Sequence, residues 1–366
     1  MSARRDYSLT GPENKRAQER GLASAEDWYK SPIPRQRLKE LMKRKDGPAI
    51  RDTILMFAWL IGTGILAYYS WGTWWAIPAF ALYGVSYAST ADSRWHECGH
   101  GTAFKTAWMN DVLYQIASFM DLRAPTPWRW SHVRHHTDTY IVGRDPEIAM
   151  SRPPVWRIIF GEIVHIYGGS RDLKAIMTHC FGKLTAAEKD YVPASELRKA
   201  VWISRIWVLI LAGFIAWSIL IGSILPLMFV GLPTFYGPIL LLLVGLGQHL
   251  GLREDVLDHR LNTRTIYINP FFRFLYWNMN YHIEHHMFPM VPYHALPALH
   301  EELKFDYPAP SPSLWAALRE VIAALIKQKE NPDYVVDRPL PATANPYYYG
   351  AQAGKTDGDK ASSHGA

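Results

Sequence analysis

The residues of this chain best suited to chemistry are its histidines, and eight of the fifteen fall in three short groups. They are HECGH at 96–100, HVRHH at 132–136 and HIEHH at 282–286. On a helix, side chains four apart share a face, so His96 and His100 can point at one centre. The other two groups add a three-apart pairing, His132 with His135 and His136, and His282 with His285 and His286. Three ring nitrogens are then expected to converge from a single helical turn. Neutral imidazole is a metal ligand, and eight are twice what a four-coordinate structural zinc requires, so the spacing implies two metal ions.

A metal-bound imidazole is fixed by donating from its other nitrogen, usually to a carboxylate. Asp92, Glu97, Asp138, Asp145, Glu147 and Glu284 lie near the groups in sequence. Asp145, in GRDPE just after the second group, is the expected partner, and the others read as surface charge. His249, in GLGQHLGL, closes an apolar stretch. It is either a ninth ligand or a hydrogen-bonded histidine at a membrane edge. His165, His179, His259, His294, His300 and His364 lack the spacing and read as ordinary surface or core residues.

A membrane is what must position these groups. The chain is 49% hydrophobic, with its apolar residues concentrated in two uncharged stretches, Thr53 to Ala91 and Ile206 to Leu252. Each is long enough to cross roughly 30 Å of hydrocarbon twice at about 20 residues per span. Spans are expected over 53–70, 74–91, 202–222 and 232–250, forming two hairpins, with Gly222, Pro226, Gly231 and Pro233 permitting the second turn. Lys and Arg crowd the N-terminal segment, the 92–205 loop and the C-terminal third, so both termini and all three histidine groups are expected in the cytoplasm. Within that loop, 107–120 and 155–167 are apolar but too short to span, and read as interfacial or re-entrant helices roofing the metals. The basic run ending at Arg51 reads either as a helix on an anionic membrane surface or as a solvated helix.

The expected fold is therefore an all-α integral membrane protein, with four transmembrane helices under a cytosolic helical cap that holds the metals. One domain covers 31–339, and residues 1–30 and 340–366 read as disordered tails. Two cysteines, Cys98 and Cys180, are too few for a disulfide framework, a zinc ribbon or a Cys-ligated iron–sulfur cluster. The first 25 residues carry no apolar h-region, so no cleaved secretory signal is expected.

The three groups, with paired spans before the first and between the second and third, closely resemble the membrane fatty acid desaturase superfamily over roughly residues 50–310. GRDPE, NTRT at 262–265 and WNMNYHIEHHMFPMVPYHALP around the third group look like its bacterial acyl-lipid branch. That branch lies near proteins described as hydrocarbon oxygenases or linked to rhizopine catabolism. The resemblance implies metal-ligand roles for His96, His100, His132, His135, His136, His282, His285 and His286, with His249 as an additional ligand. Asn278 and Asn280 match the same neighbourhood without an assigned role. It further implies two iron ions, oxygen and a lipid acyl substrate, in a multi-pass protein of the bacterial inner membrane. No haem-binding domain occurs in these residues, so the electron donor is expected to be a separate ferredoxin or cytochrome with its reductase. Nucleic acid is not among the expected partners. Physical chemistry points the same way, because zinc has no redox chemistry and an imidazole-rich site suits iron.

The expected activity is oxygen-dependent introduction of a double bond into an acyl chain. Hydroxylation of an acyl chain or hydrocarbon at the same iron pair is the alternative, with an indistinguishable ligand set. A non-catalytic metal-binding or transport protein is more remote, since transport places ligands near the bilayer midplane. A zinc hydrolase would use about three ligands and leave the rest idle.

Overall fold

The computed structural model describes residues 5–23 and 25–349. Among these the chain is helical, with only isolated bridges pairing Thr265 with Tyr281 and Ile266 with Ser311. Two short helices, α1 (Pro12–Glu19) and α2 (Arg35–Leu41), precede a long hairpin of α3 (Asp46–Ser70) and α4 (Ala76–Gly99). From Thr53 onward α3 has no charge, exposes Ile54, Leu55, Ile61 and Ile65, and buries Met56, Leu60 and Ala67 in a core shared with Phe80, Tyr83 and Tyr87. The 24 residues of α4 rise about 36 Å. That last turn holds His96, and the preceding turns from Ser86 are wholly buried.

A layer of shorter helices follows: α5 (Ala107–Met120), α6 (Pro125–Thr137), α7 (Trp156–Glu162), α8 (Ile166–Cys180) and α9 (Glu188–Tyr191). Proline in the first turn of α6 suits a position whose backbone N–H has no helical partner. Next, α10 (Leu197–Leu220) exposes Trp202, Ile206, Leu209, Ile219 and Leu220. The helices ending at Ser70 and at Leu220 are, among the described residues, the two long and apolar enough to cross a membrane.

The rest of the second uncharged stretch is not one helix. It is broken into α11 (Leu225–Phe229), α12 (Pro233–Tyr236) and α13 (Ile239–His249). Pro226, Pro233 and Pro238 each remove a backbone donor, and Gly231 adopts φ +91°, so a continuous ladder cannot form. Gly237 packs on α4 so closely that a Cβ there would lie 2.0 Å from the Gly84 carbonyl oxygen. The longest helix in the stretch expected as a span over 232–250 is thus the 11-residue α13, ending at His249. The chain closes with α14 (His259–Asn262), α15 (Pro270–Leu275), α16 (His282–Met287), α17 (Leu296–Leu303) and α18 (Leu314–Glu330).

The N-terminal segment differs from the structureless tail that its polar composition suggested. It contains α1 and docks through Ala17, Leu22 and Trp28 onto Ile141 and Leu257. Arg5 pairs with Glu254 at 2.8 Å, Arg20 pairs with Asp255 at 3.1 Å, and Tyr29 N–H donates to the Leu257 carbonyl. A few apolar anchors and ion pairs hold a chain whose average composition is polar. The C-terminal segment is held as far as it is described, since buried Arg260 donates to the carbonyls of Asn345 and Pro346 at 3.0 Å each. The remainder of that tail, 350–366, lies outside the described residues.

Candidate metal centre

Nine histidines meet where α4, α6, α13 and α16 converge, and they divide into two groups. His96, His100, His132, His136 and His285 offer nitrogens within 4.8 Å of one another, and so do His135, His249 and His286. His282 joins the second group, its Nε2 lying 3.0 Å from that of His249 and 3.1 Å from that of His286. Helical geometry explains the division. Residues i+3 and i+4 differ by about 100° around the axis, whereas i and i+4 differ by only about 40°. In each H-x-x-H-H group the four-apart pair therefore serves one set and the intervening histidine the other. His132 and His136 go to the five-histidine group and His135 to the four. His282 and His286 go to the four and His285 to the five. The expectation that three nitrogens converge from one turn is corrected accordingly.

The spacing within each group fits metal ions. His132 Nε2 lies 3.1 Å from the Nε2 of His96, 3.1 Å from that of His100 and 3.2 Å from that of His136. His285 Nε2 is 2.6 Å from His96 Nε2 and 3.2 Å from His136 Nε2. A neutral ring nitrogen has one proton or one lone pair, so it cannot hydrogen-bond to three others. Ligands about 2.1 Å from a metal and at right angles to each other are about 3 Å apart, which matches these separations.

Behind the rings, several outer nitrogens are held. His135 Nδ1 donates to Asp145 Oδ2 at 2.9 Å, and the same oxygen accepts from the Tyr140 backbone at 2.8 Å. His249 Nδ1 donates to the Asn262 carbonyl at 2.8 Å, which leaves its Nε2 facing the group. His286 Nδ1 lies 3.2 Å from Thr139 Oγ1, whose own proton goes to the His135 carbonyl. The Gln248 amide Nε2 lies 3.3 Å from His282 Nδ1 and donates to the Tyr276 hydroxyl at 2.9 Å. In the five-histidine group, His132 Nδ1 donates to Glu147 Oε2 at 3.2 Å, while Nδ1 of His136 and of His285 is buried without a partner.

Asp145 thus sits where its place in GRDPE suggested, and Glu147, two residues on, does a similar job that sequence reasoning set aside. The remaining carboxylates are buried rather than surface charge. Asp92 pairs with Arg123 at 2.7 Å, Asp138 with Arg134 and Arg144, Glu284 with His300 and Thr265, and Glu97 accepts from Thr102 and the Tyr293 backbone. None of these four is bonded to a histidine of the two groups. A short polar segment is as easily a buried bracing element as a loop, so nothing in the sequence marked them.

Burial, and then the neighbouring imidazoles, hold His96, His100, His136, His282 and His286 well below the usual imidazole range, keeping them neutral as ligands must be. His135 is the exception. Burial lowers it too, but the charge and hydrogen bond of Asp145 outweigh that and raise it to about 9. Glu147 shows the converse: burial raises it, yet His132 and its other partners bring it down to about 2.

A cavity of about 470 Å³ opens onto both groups, touching His96, His132, His135, His249 and His282. One wall is apolar, built from Ile148, Ile158, Leu241, Leu242 and Leu246, and Asp92, Arg123, Glu162 and Arg171 also line it.

A protein-family model described as fatty acid desaturase matches residues 72–317. Among curated proteins, the chain is similar to the Delta(5) fatty acid desaturase fat-4 of Caenorhabditis elegans, 24% identical over 280 residues, covering 64% of this chain and 59% of that protein. It is also similar to the Delta(12) fatty acid desaturase FAD2 of Calendula officinalis, 31% identical over 80 residues, covering 22% of this chain and 19% of that protein. The Delta(12)-fatty-acid desaturase of Arabidopsis thaliana is 31% identical over 80 residues, with the same shares. The matched region is therefore little more than half of the nematode protein and about a fifth of the plant proteins.

Proposed function

The chain belongs to the fatty acid desaturase family, and on that premise we propose that it introduces a double bond into a lipid acyl chain, using oxygen at a pair of iron ions. The observation that carries this reading is the cavity whose apolar wall runs past His96, His132, His135, His249 and His282. In it an unactivated C–H bond would lie next to a metal, away from bulk water. Iron bound there would supply the oxygen-activating redox chemistry that zinc lacks.

The protein's own residues bind, orient and exclude. His96, His100, His132, His136 and His285 would hold one ion, and His135, His249, His282 and His286 the other. Asp145, Glu147, Thr139 and the Asn262 carbonyl keep each ring they touch in the tautomer that frees Nε2. Ile148, Ile158, Leu241, Leu242 and Leu246 align the chain, and alignment is worth most when the reacting bond must be selected from many alike. Tyr140, stacked on His249 at 4.9 Å, helps to seal the cavity against water.

The same reading gives the chain four membrane crossings. These are α3, α4, α10 and the broken α11–α13 segment, with the metal layer and both termini on the cytoplasmic face. It also calls for an electron donor, of ferredoxin or cytochrome type. Expression in a host with a defined lipid composition, followed by chromatography and mass spectrometry of its acyl chains, tests the activity. A new double bond is the expected result. An oxygenated product with no new double bond would replace desaturation with hydroxylation.

A further inference from the structure

Forming a double bond takes two hydrogens and two electrons from the chain, whereas reducing oxygen to two waters takes four electrons. Two electrons and two protons must come from outside. The described residues contain no redox group, and both cysteines are free thiols, so each electron crosses protein to reach the metals. That requirement rests on the function proposed above. The structure holds an aromatic path suited to it, through residues with no role in metal binding.

His259, in α14, is 3% exposed, and its Nδ1 is buried with no hydrogen-bond partner. An unpartnered buried nitrogen costs stability that a phenylalanine filling the same space would avoid. On one side, the Trp28 ring stacks on the His259 ring with centroids 4.2 Å apart and planes 9° from parallel. On the other, the ring of His286 lies 5.2 Å away, and His286 is one of the four-histidine group. Trp28 is only 7% exposed, but its neighbours Glu26, Asp27 and Lys30 are exposed, so its ring sits one residue from solvent. Its indole N–H donates to the Thr137 carbonyl at 2.9 Å, fixing the plane of the stack. The N-terminal segment that carries Trp28 is clamped by Arg5–Glu254, Arg20–Asp255 and the Tyr29 backbone bond.

We infer that Trp28 and His259 form the route by which electrons enter the metal centre, with His286 as the last ring before the ion. A reduced one-electron carrier protein, of iron–sulfur or haem type, gives up one electron at the Trp28 surface. His135, His249, His282 and His286 would hold the iron that takes it up, passing from ferric to ferrous. No bond is made or broken, neither ring is oxidised in net terms, and two such transfers serve each turnover.

The test injects electrons from a known point. In a Cys180→Ser background, Asp27→Cys is labelled with a ruthenium–bipyridyl photoreductant, and reduction of the metal centre after a flash is followed by transient absorption. Injection in the otherwise unchanged protein is expected to be fast. Trp28→Leu or His259→Leu should slow it by at least an order of magnitude at unchanged metal content, while Trp28→Phe, which keeps a ring, should slow it far less. With the label moved to Lys105→Cys, near the first histidine group, Trp28→Leu should have no effect. Equal rates from the Asp27→Cys label with and without the two rings, at equal metal content, would overturn the route and leave the proposed function standing. No flash-induced reduction from either label would overturn both.

Discussion

The two histidine groups differ in how they are held. The group of four has few ligands, but each ring is fixed from behind, by Asp145, the Asn262 carbonyl, Gln248 and Thr139. The group of five has an extra ligand but weaker anchorage. Only His132 of the five leans on a carboxylate, and the outer nitrogens of His136 and His285 are buried without partners. His100 and His136 are also only half-buried, whereas all four rings of the other group are buried. One side of the centre is built by preorganisation and the other by ligand number. Preorganised ligands lose less freedom on binding and hold an ion in one geometry. A looser set can tolerate change at its ion.

The largest effect should come from removing ligands. His249→Ala leaves three histidines in the smaller group and is expected to lower the metal content of purified protein from about two ions per chain to about one, as a four-coordinate site cannot spare a ligand. His100→Ala leaves four in the larger group and should retain more than half of that group's metal. Equal losses in the two variants would break the comparison. Next come the outer partners. Asp145→Asn should weaken binding of the ion in the four-histidine group by ~10–100-fold in chelator competition, and Glu147→Gln should cost less, because His132 is one ligand of five. Thr139→Val, which removes a single uncharged partner of His286, should weaken binding only a few-fold in the same assay.

The smallest effect on metal content should come from Glu97, which lies between His96 and His100 but faces Thr102 and Tyr293. Burial raises its carboxyl to about 7, so the folded protein favours the protonated form. Stability from this group is full below the unfolded value near 4.5 and is lost as pH rises through about 7, amounting to about 3 kcal/mol. Thermal unfolding of Glu97→Gln should therefore show a gain over the parent that grows between pH 5 and pH 8, at unchanged metal content. A constant difference across that range would rule out a protonated Glu97.

Much of the site could be read from spacing alone. H-x-x-H-H encodes two faces of one helical turn, and His249 stood out as a titratable residue closing an apolar stretch. Which ring serves which ion could not be read, since it depends on how α6 and α16 are rotated against each other. Glu147 and the Gln248 amide were hidden for a related reason, because a hydrogen-bonding partner across the fold leaves no periodic trace. The break of the second stretch into α11, α12 and α13 is signalled by Pro226, Gly231 and Pro233, and Pro238 adds a further interruption. Trp28 and His259 were the least legible. They lie in segments whose composition is polar, and only the folded chain stacks one on the other across more than 200 residues.

The central claim is that nine histidines hold two inequivalent, redox-active ions. Mössbauer spectroscopy of protein purified from cells grown on isotopically enriched iron tests it most directly. About two irons per chain, giving two distinct quadrupole doublets of similar area, is the predicted result. Zinc in place of iron, or a single iron environment, would contradict it.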